Sequence, residues 1–126
     1  DMQVYLQDIM ATSLDLAGIE KPEYVEFNSL VPMINEEATT STYDEIYGAY
    51  INVQRMVRTE KYKMIVYPKA KKILVFDMLN DPQEMNDLSD NIDYTEVKKE
   101  LITKLKKQQQ LMDDPLDLSV AFPDLF

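Results

Sequence analysis

Leu6, Ile9, Met10, Leu14 and Ala17 recur at the 3.6-residue spacing of a single helix face, which predicts a helix over 6–17. Gly18 follows where a helix needs a residue of positive φ, and Ile19 sits where a Schellman ending places its apolar contact. Pro22 then blocks resumption. A short apolar segment, Phe27 to Ile34, reads as one or two helical turns, and Asn35 to Tyr43 as a polar, exposed loop. From Ile46 the pattern shortens to strand length, with Tyr47, Tyr50, Ile51, Val53 and Val57 leading into Tyr62–Tyr67 and Ile73–Asp77. Glu60 and Lys61 form a tight turn between two of these runs. The expectation is an antiparallel meander of three or four strands between Ile46 and Asp77.

Helical periodicity returns near Tyr94. Asp93 as N-cap with Glu96 three residues inside makes a capping box. Val97, Leu101, Leu105 and Met112 line one stripe of that helix, and Glu100 and Lys104 are a favourable i,i+4 pair. So short a meander needs cover, and this stripe supplies it. In the tail, Leu116, Leu118, Val120 and Phe122 alternate with polar or small residues at the period of a strand, bracketed by Pro115 and Pro123. The two prolines restrict it to a sheet edge or an extended arm, docked on an apolar groove of this domain or of a neighbour. The fold class is therefore α+β: a short antiparallel sheet covered by a long C-terminal helix.

Composition narrows the functional classes. Thirteen Lys+Arg against 23 Asp+Glu give a formal charge of -10. That excess argues against nucleic acid, which needs basic clusters to neutralise phosphates. The basic stretch Lys98 to Lys107 is interleaved with Glu100 and reads as a solvated helix face. Cysteine and histidine are both absent, which removes the thiol nucleophile, the commonest general base and the commonest metal ligand. No apolar run is long enough to span a bilayer, and no signal-peptide pattern opens the chain. The first residues run directly into helical periodicity, so the chain reads as cut from something longer.

Four segments, in order, resemble the sulfatase family of the alkaline-phosphatase-like superfamily, in particular the bacterial carbohydrate sulfatases. Asp8-Ile9-Met10-Ala11-Thr12 through Leu14-Asp15-Leu16-Ala17-Gly18-Ile19 is similar to the last helix of that family's catalytic domain. Asn28-Ser29-Leu30-Val31-Pro32-Met33-Ile34 is similar to the segment after it, with Asn28 where Gly is common and positive φ is expected. Gln54 to Lys63 looks like the family's Arg-x-x-Lys-Tyr-Lys hairpin. Tyr62-Lys63-Met64-Ile65, Phe76-Asp77-Met78 and Asp81-Pro82-Gln83-Glu84-Met85-Asn86-Asp87-Leu88 complete the match. The resemblance implies the C-terminal portion of such an enzyme. Residues 1–45 would end the catalytic domain, 46–112 would form a C-terminal α+β subdomain, and 113–126 an extended arm.

By that resemblance the parent hydrolyses a sulfate ester of a carbohydrate or small molecule, in the periplasm or outside the cell. Its cofactors would be calcium and a formylglycine nucleophile made within Cys/Ser-x-Pro-x-Arg. No Ser of this chain is followed by x-Pro-x-Arg, so neither catalytic nor metal-binding residues carry over. The implied partner is the catalytic domain of the same protein. Without it, the apolar face of Ile9, Met10 and Leu14 would be exposed and prone to self-association.

From the residues themselves, Tyr47 and Tyr50, with Gln54 and Arg55, are candidates for a substrate-facing edge: aromatic faces stack on sugars, and a guanidinium fork binds sulfate or carboxylate. The competing reading is half-buried strand tyrosines and a surface arginine. Asp113-Asp114-Pro115 and Asp87 to Asn91 invite calcium but lack the loop spacing it needs, so capping and turn chemistry account for them better. The scattered methionines read as core filling. Two other functional classes remain open: a free-standing interaction module docking through the Leu116–Phe122 arm by strand addition, and a phosphoester or phosphonoester hydrolase on the same scaffold.

Overall fold

The structure, a computed structural model, describes residues 2–126, which fall into two compact units, one ending at Asp44 and the other spanning Glu45–Phe126. The first unit holds α1 (Asp8–Leu16) and α2 (Val31–Ile34), a single turn. The Schellman ending of α1 is complete: Gly18 has φ +66, Ile19 N–H donates to Leu14 O at 2.9 Å, and Gly18 N–H to Asp15 O at 3.0 Å. The buried side of α1, however, is Asp8, Ala11 and Thr12. Ile9 and Met10 stand 55% and 54% exposed, and Leu14 is half-buried.

Hydrogen bonding explains that inversion. The buried Asp8 carboxylate accepts from Tyr5 N–H at 2.7 Å, from Asn28 N–H at 3.3 Å and from the Tyr43 hydroxyl. Thr12 Oγ1 donates to Asp8 O at 2.7 Å and accepts from Leu30 N–H at 2.9 Å. A buried carboxylate with these partners holds the helix by its polar side. Burial, and then donation to Asp8, raise the Tyr43 hydroxyl above the ordinary tyrosine value. Asn28 does not adopt the positive φ expected of it; its N–H is engaged by Asp8 and Tyr43 instead.

The second unit is a meander of four antiparallel strands in sequence order: β1 (Ile46–Tyr50), β2 (Gln54–Arg58), β3 (Tyr62–Tyr67) and β4 (Lys72–Asp77). Register aligns Tyr47, Val57, Met64 and Val75 in one row across all the strands, and Ala49, Arg55, Val66 and Ile73 in the next. The α-helix α3 (Thr95–Leu111) packs on that face, burying Leu101, Ile102 and Leu105 against the rows. Met112, expected on the packed stripe, is exposed because the helix has already ended. Because side chains alternate between faces, a register slip of one residue would carry both rows away from the helix.

The capping box of Asp93 and Glu96 does not form. Asn91 caps a single 3-10 turn, Ile92–Tyr94, by accepting from Asp93 N–H at 3.0 Å. The asparagine carbonyl reaches the first free N–H one turn earlier, and Glu96 pairs with Lys99 at 2.7 Å. The tail is not a strand either. Ala121 and Phe122 N–H both donate to Leu118 O, at 3.1 and 3.0 Å, and Phe126 N–H donates to Phe122 O at 3.0 Å. Leu118, Phe122 and Phe126 thus share one side of two successive turns and pack on the core under α3. A segment carrying two prolines lacks ladder donors, so local turns satisfy its backbone more completely than a sheet edge does.

Leu118→Ala is expected to destabilise the protein by about 2–4 kcal/mol, as for other buried leucines. Val120→Ala, at a site 81% exposed, should stay within about 0.5 kcal/mol. Urea unfolding of the two variants checks this; equal losses would refute the docked arm.

Candidate functional site

Two of the sequence-derived candidates converge with residues from the far end of the chain. Helix α3 ends in a second Schellman motif built without glycine: Asp113 adopts φ +47, Asp114 N–H donates to Gln109 O at 2.9 Å, and Asp113 N–H to Gln110 O at 3.4 Å. Pro115 follows at once and cannot continue the helix. This reversal aims the Asp114 side chain back at the sheet, where Arg55 meets it from β2. Arg55 Nη2 donates to Asp114 Oδ1 at 2.8 Å and Nε donates to Oδ2, a bidentate fork between side chains 5% and 7% exposed.

Every other polar atom of the pair is engaged too. Arg55 Nη1 donates to Ile51 O at 2.7 Å and to Gln54 O at 2.8 Å, gripping the β1–β2 turn. Asp114 also accepts from the Tyr47 hydroxyl, from Leu116 N–H at 3.1 Å and from Gln109 Nε2 at 3.3 Å. Gln109 Nε2 donates in turn to Leu116 O at 2.9 Å. Strand β1, the hairpin turn, the end of α3 and the start of the arm therefore meet at one carboxylate.

The electrostatics suit a clamp rather than a proton-transfer centre. The Arg55 guanidinium, with smaller help from Tyr47, Leu116 and Gln109, holds the Asp114 carboxyl well below the usual carboxylate range. Burial, and then donation to Asp114, push the Tyr47 hydroxyl far above the ordinary tyrosine value. Neither group titrates near neutrality, as a general acid or base would need to. Tyr47 and Arg55 are thus brought together, facing inward. Tyr50 and Gln54 pair directly across the hairpin, and Tyr50 is 61% exposed, so it remains at the accessible edge. Asp114 and Gln109 complete this network without having been candidates from the sequence. Asp114 was visible there as a turn residue, with nothing to indicate that it answers an arginine 59 positions away.

Among the described residues, no group of three or more His, Cys, Asp or Glu side chains is placed to hold a metal ion, and no helix is long and apolar enough to cross a membrane. The Asp87 carboxylate accepts from Val75 and Ser89 N–H at 3.1 and 3.0 Å, which is turn chemistry.

The family model described as N-sulphoglucosamine sulphohydrolase, C-terminal, matches residues 1–111. The chain belongs to that family. It is 32% identical to an N-acetylglucosamine-6-O-sulfatase of Bacteroides thetaiotaomicron, over 85% of this chain and 21% of the relative. It is 30% identical to an arylsulfatase of Clostridium perfringens, over 98% of this chain and 27% of the relative. The fold matches, with a TM-score of 0.75 and 27% identity, a protein solved in complex with its substrate D-glucosamine-2-N,6-O-disulfate, covering 86% of this chain and 24% of that one. The chain thus spans about a quarter of the length of these relatives. Within the family it corresponds to the C-terminal α+β portion, where the sheet and covering helix lie.

Removing one partner of a buried ion pair strands the other charge. Asp114→Ala should therefore cost about 3–5 kcal/mol, and Arg55→Met/Asp114→Leu should recover much of it. Because the folded-state carboxyl lies below its unfolded value, Asp114 stabilises the protein above about pH 4 and loses that contribution as pH falls further. Denaturant midpoints from pH 7 down to pH 2 check both points: Asp114→Ala should show a shallower acid decline than the parent sequence.

Proposed function

We propose that the protein to which this portion belongs hydrolyses sulfate esters of carbohydrates, and that this chain supplies stability and substrate selection. The match across residues 1–111 carries the reading, and the exposed apolar side chains of α1 support it. In this reading residues 1–45 close the helical layer of the catalytic domain, which covers Ile9 and Met10. Residues 46–112 and the arm 113–126 form the subdomain beside it. In this reading calcium and the formylglycine nucleophile belong to the catalytic domain. No chemical step is assigned to this chain. The compartment is periplasmic or extracellular.

Tyr50 and Gln54 are the residues proposed to face substrate. They lie on the hairpin that Arg55 steadies from below, so the clamp acts on selection by positioning rather than by contact. The full-length protein should release sulfate from sulfated glucosamine derivatives; release of phosphate alone from the matching phosphate esters would move it to another branch of the superfamily. Tyr50→Ala should raise KM for a sulfated saccharide about threefold to tenfold, the worth of an aromatic contact, with kcat nearly unchanged. A parallel fall in kcat would place Tyr50 elsewhere in the mechanism. Expressed alone, this chain should self-associate and bind a hydrophobic dye, and Ile9→Lys/Met10→Lys should abolish both; a monomer that binds no dye would count against the covered face.

A further inference from the structure

In a meander, alternate turns lie at the same end of the sheet. The β1–β2 turn, with exposed Tyr50 and Ile51, therefore shares an end with the β3–β4 turn, Pro68 to Lys71. The two are separated by about two strand spacings, roughly 10 Å. The second turn is basic: Lys69, Lys71 and Lys72 fall within a few residues, and Lys71 adopts φ +49. Beside it lies an open recess of about 390 Å³ lined by Lys71, Lys72, Lys98, Ser89, Phe122 and Asp87, among others. Lys98, half-buried, is fixed at its wall by donating from Nζ to Ser89 O at 3.0 Å.

This concentration runs against the charge of the molecule. The chain carries a formal charge of -10, and Lys63, Lys99, Lys104 and Lys107 are all in ion pairs with glutamates. Among the described residues, none of Lys69, Lys71, Lys72 and Lys98 has a carboxylate within ion-pair distance. Asp87 also faces the recess: its Oδ1 accepts from the N–H groups of Val75 and Ser89, and the charge of Lys72 favours its ionised form, which leaves Lys71 and Lys98 as the less compensated cations. Asp90, also at the rim, is exposed. Lys98 spends one of its three donors on Ser89 and keeps two for an acceptor in the recess. The apolar wall of Phe122 belongs to the docked arm, so the recess exists only when the tail is folded back.

We infer that this recess is an anion subsite that takes a second sulfate group of a multiply sulfated oligosaccharide. The inference rests on the sulfatase reading and deepens it. Ammonium groups suit the role because they hold a tetrahedral oxyanion as point charges without demanding one orientation. Specificity would then depend on the number and spacing of sulfates as well as on the sugar that carries the scissile one.

The test uses the full-length protein, heparin tetrasaccharide as probe and its desulfated form as control. Lys71→Gln/Lys72→Gln/Lys98→Gln should weaken tetrasaccharide binding about tenfold, the sum expected of a few partly exposed charges. It should also flatten the salt dependence of binding and leave turnover of a monosulfated monosaccharide unchanged. The exposed double variant Lys71→Gln/Lys72→Gln should show a smaller loss of the same kind, which separates lost charge from any effect on folding. Binding by the triple variant as tight as the parent's, or equal binding of the desulfated control, overturns the subsite. Failure of the parent protein to release sulfate from any ester overturns the functional reading instead, and the binding comparison still decides the recess.

Discussion

Arg55 and Asp114 form a buried, bidentate ion pair whose remaining donors and acceptors all reach other elements. Such a pair adds little net stability over an apolar replacement, because the desolvation of two charges offsets most of their attraction. What it supplies is uniqueness. In the arrangement observed, the β1–β2 turn, the end of α3 and the start of the arm together satisfy the guanidinium and the carboxylate, and losing either partner leaves the other charge buried alone. The packing rows and the docked tail both depend on that choice, since the helix must stop at Leu111 and reverse at Asp113 for Asp114 to arrive.

The clamp also shows how an interior contact shapes a surface. Ile51 is a β-branched residue in the left-handed region, φ +46, and is 72% exposed. That conformation costs an L-residue roughly 1–2 kcal/mol, and donation from Arg55 to Ile51 O offsets it. A turn held in this way presents Tyr50 in a defined place at the end of the sheet. The basic turn between β3 and β4 lies at the same end for a purely topological reason, the alternation of hairpins. An exposed tyrosine and a basic turn are thereby displayed at one end of the sheet of a protein that is otherwise acidic.

Polar contacts organise the first unit as well. Asp8 and Thr12 bind the backbone of the following segment, so α1 turns its polar side inward and leaves Ile9 and Met10 outside. Apolar side chains at helical spacing usually mark a buried face. Here two residues at that spacing, Ile9 and Met10, are exposed, because the side of α1 that the following segment engages is the polar one.

The sequence by itself determined the elements and their order. Strand-length apolar runs, the Gly18 stop and the long 3.6-residue stripe of α3 each express short-range physics, and each is present. The family was also legible, because four motifs in order are a linear property. Local competition decided where reading failed: Asn91 reached the first free N–H before Asp93 did, and two prolines turned an alternating tail into helical turns. Only the tertiary structure decided that Arg55 faces Asp114, that Leu118 lies in the core, and that Lys71 and Lys72 line one recess with Lys98. The physical reason is the same in each case. These contacts join residues tens of positions apart, and their energies exist only once the sheet register and the reversal after α3 have brought the partners together.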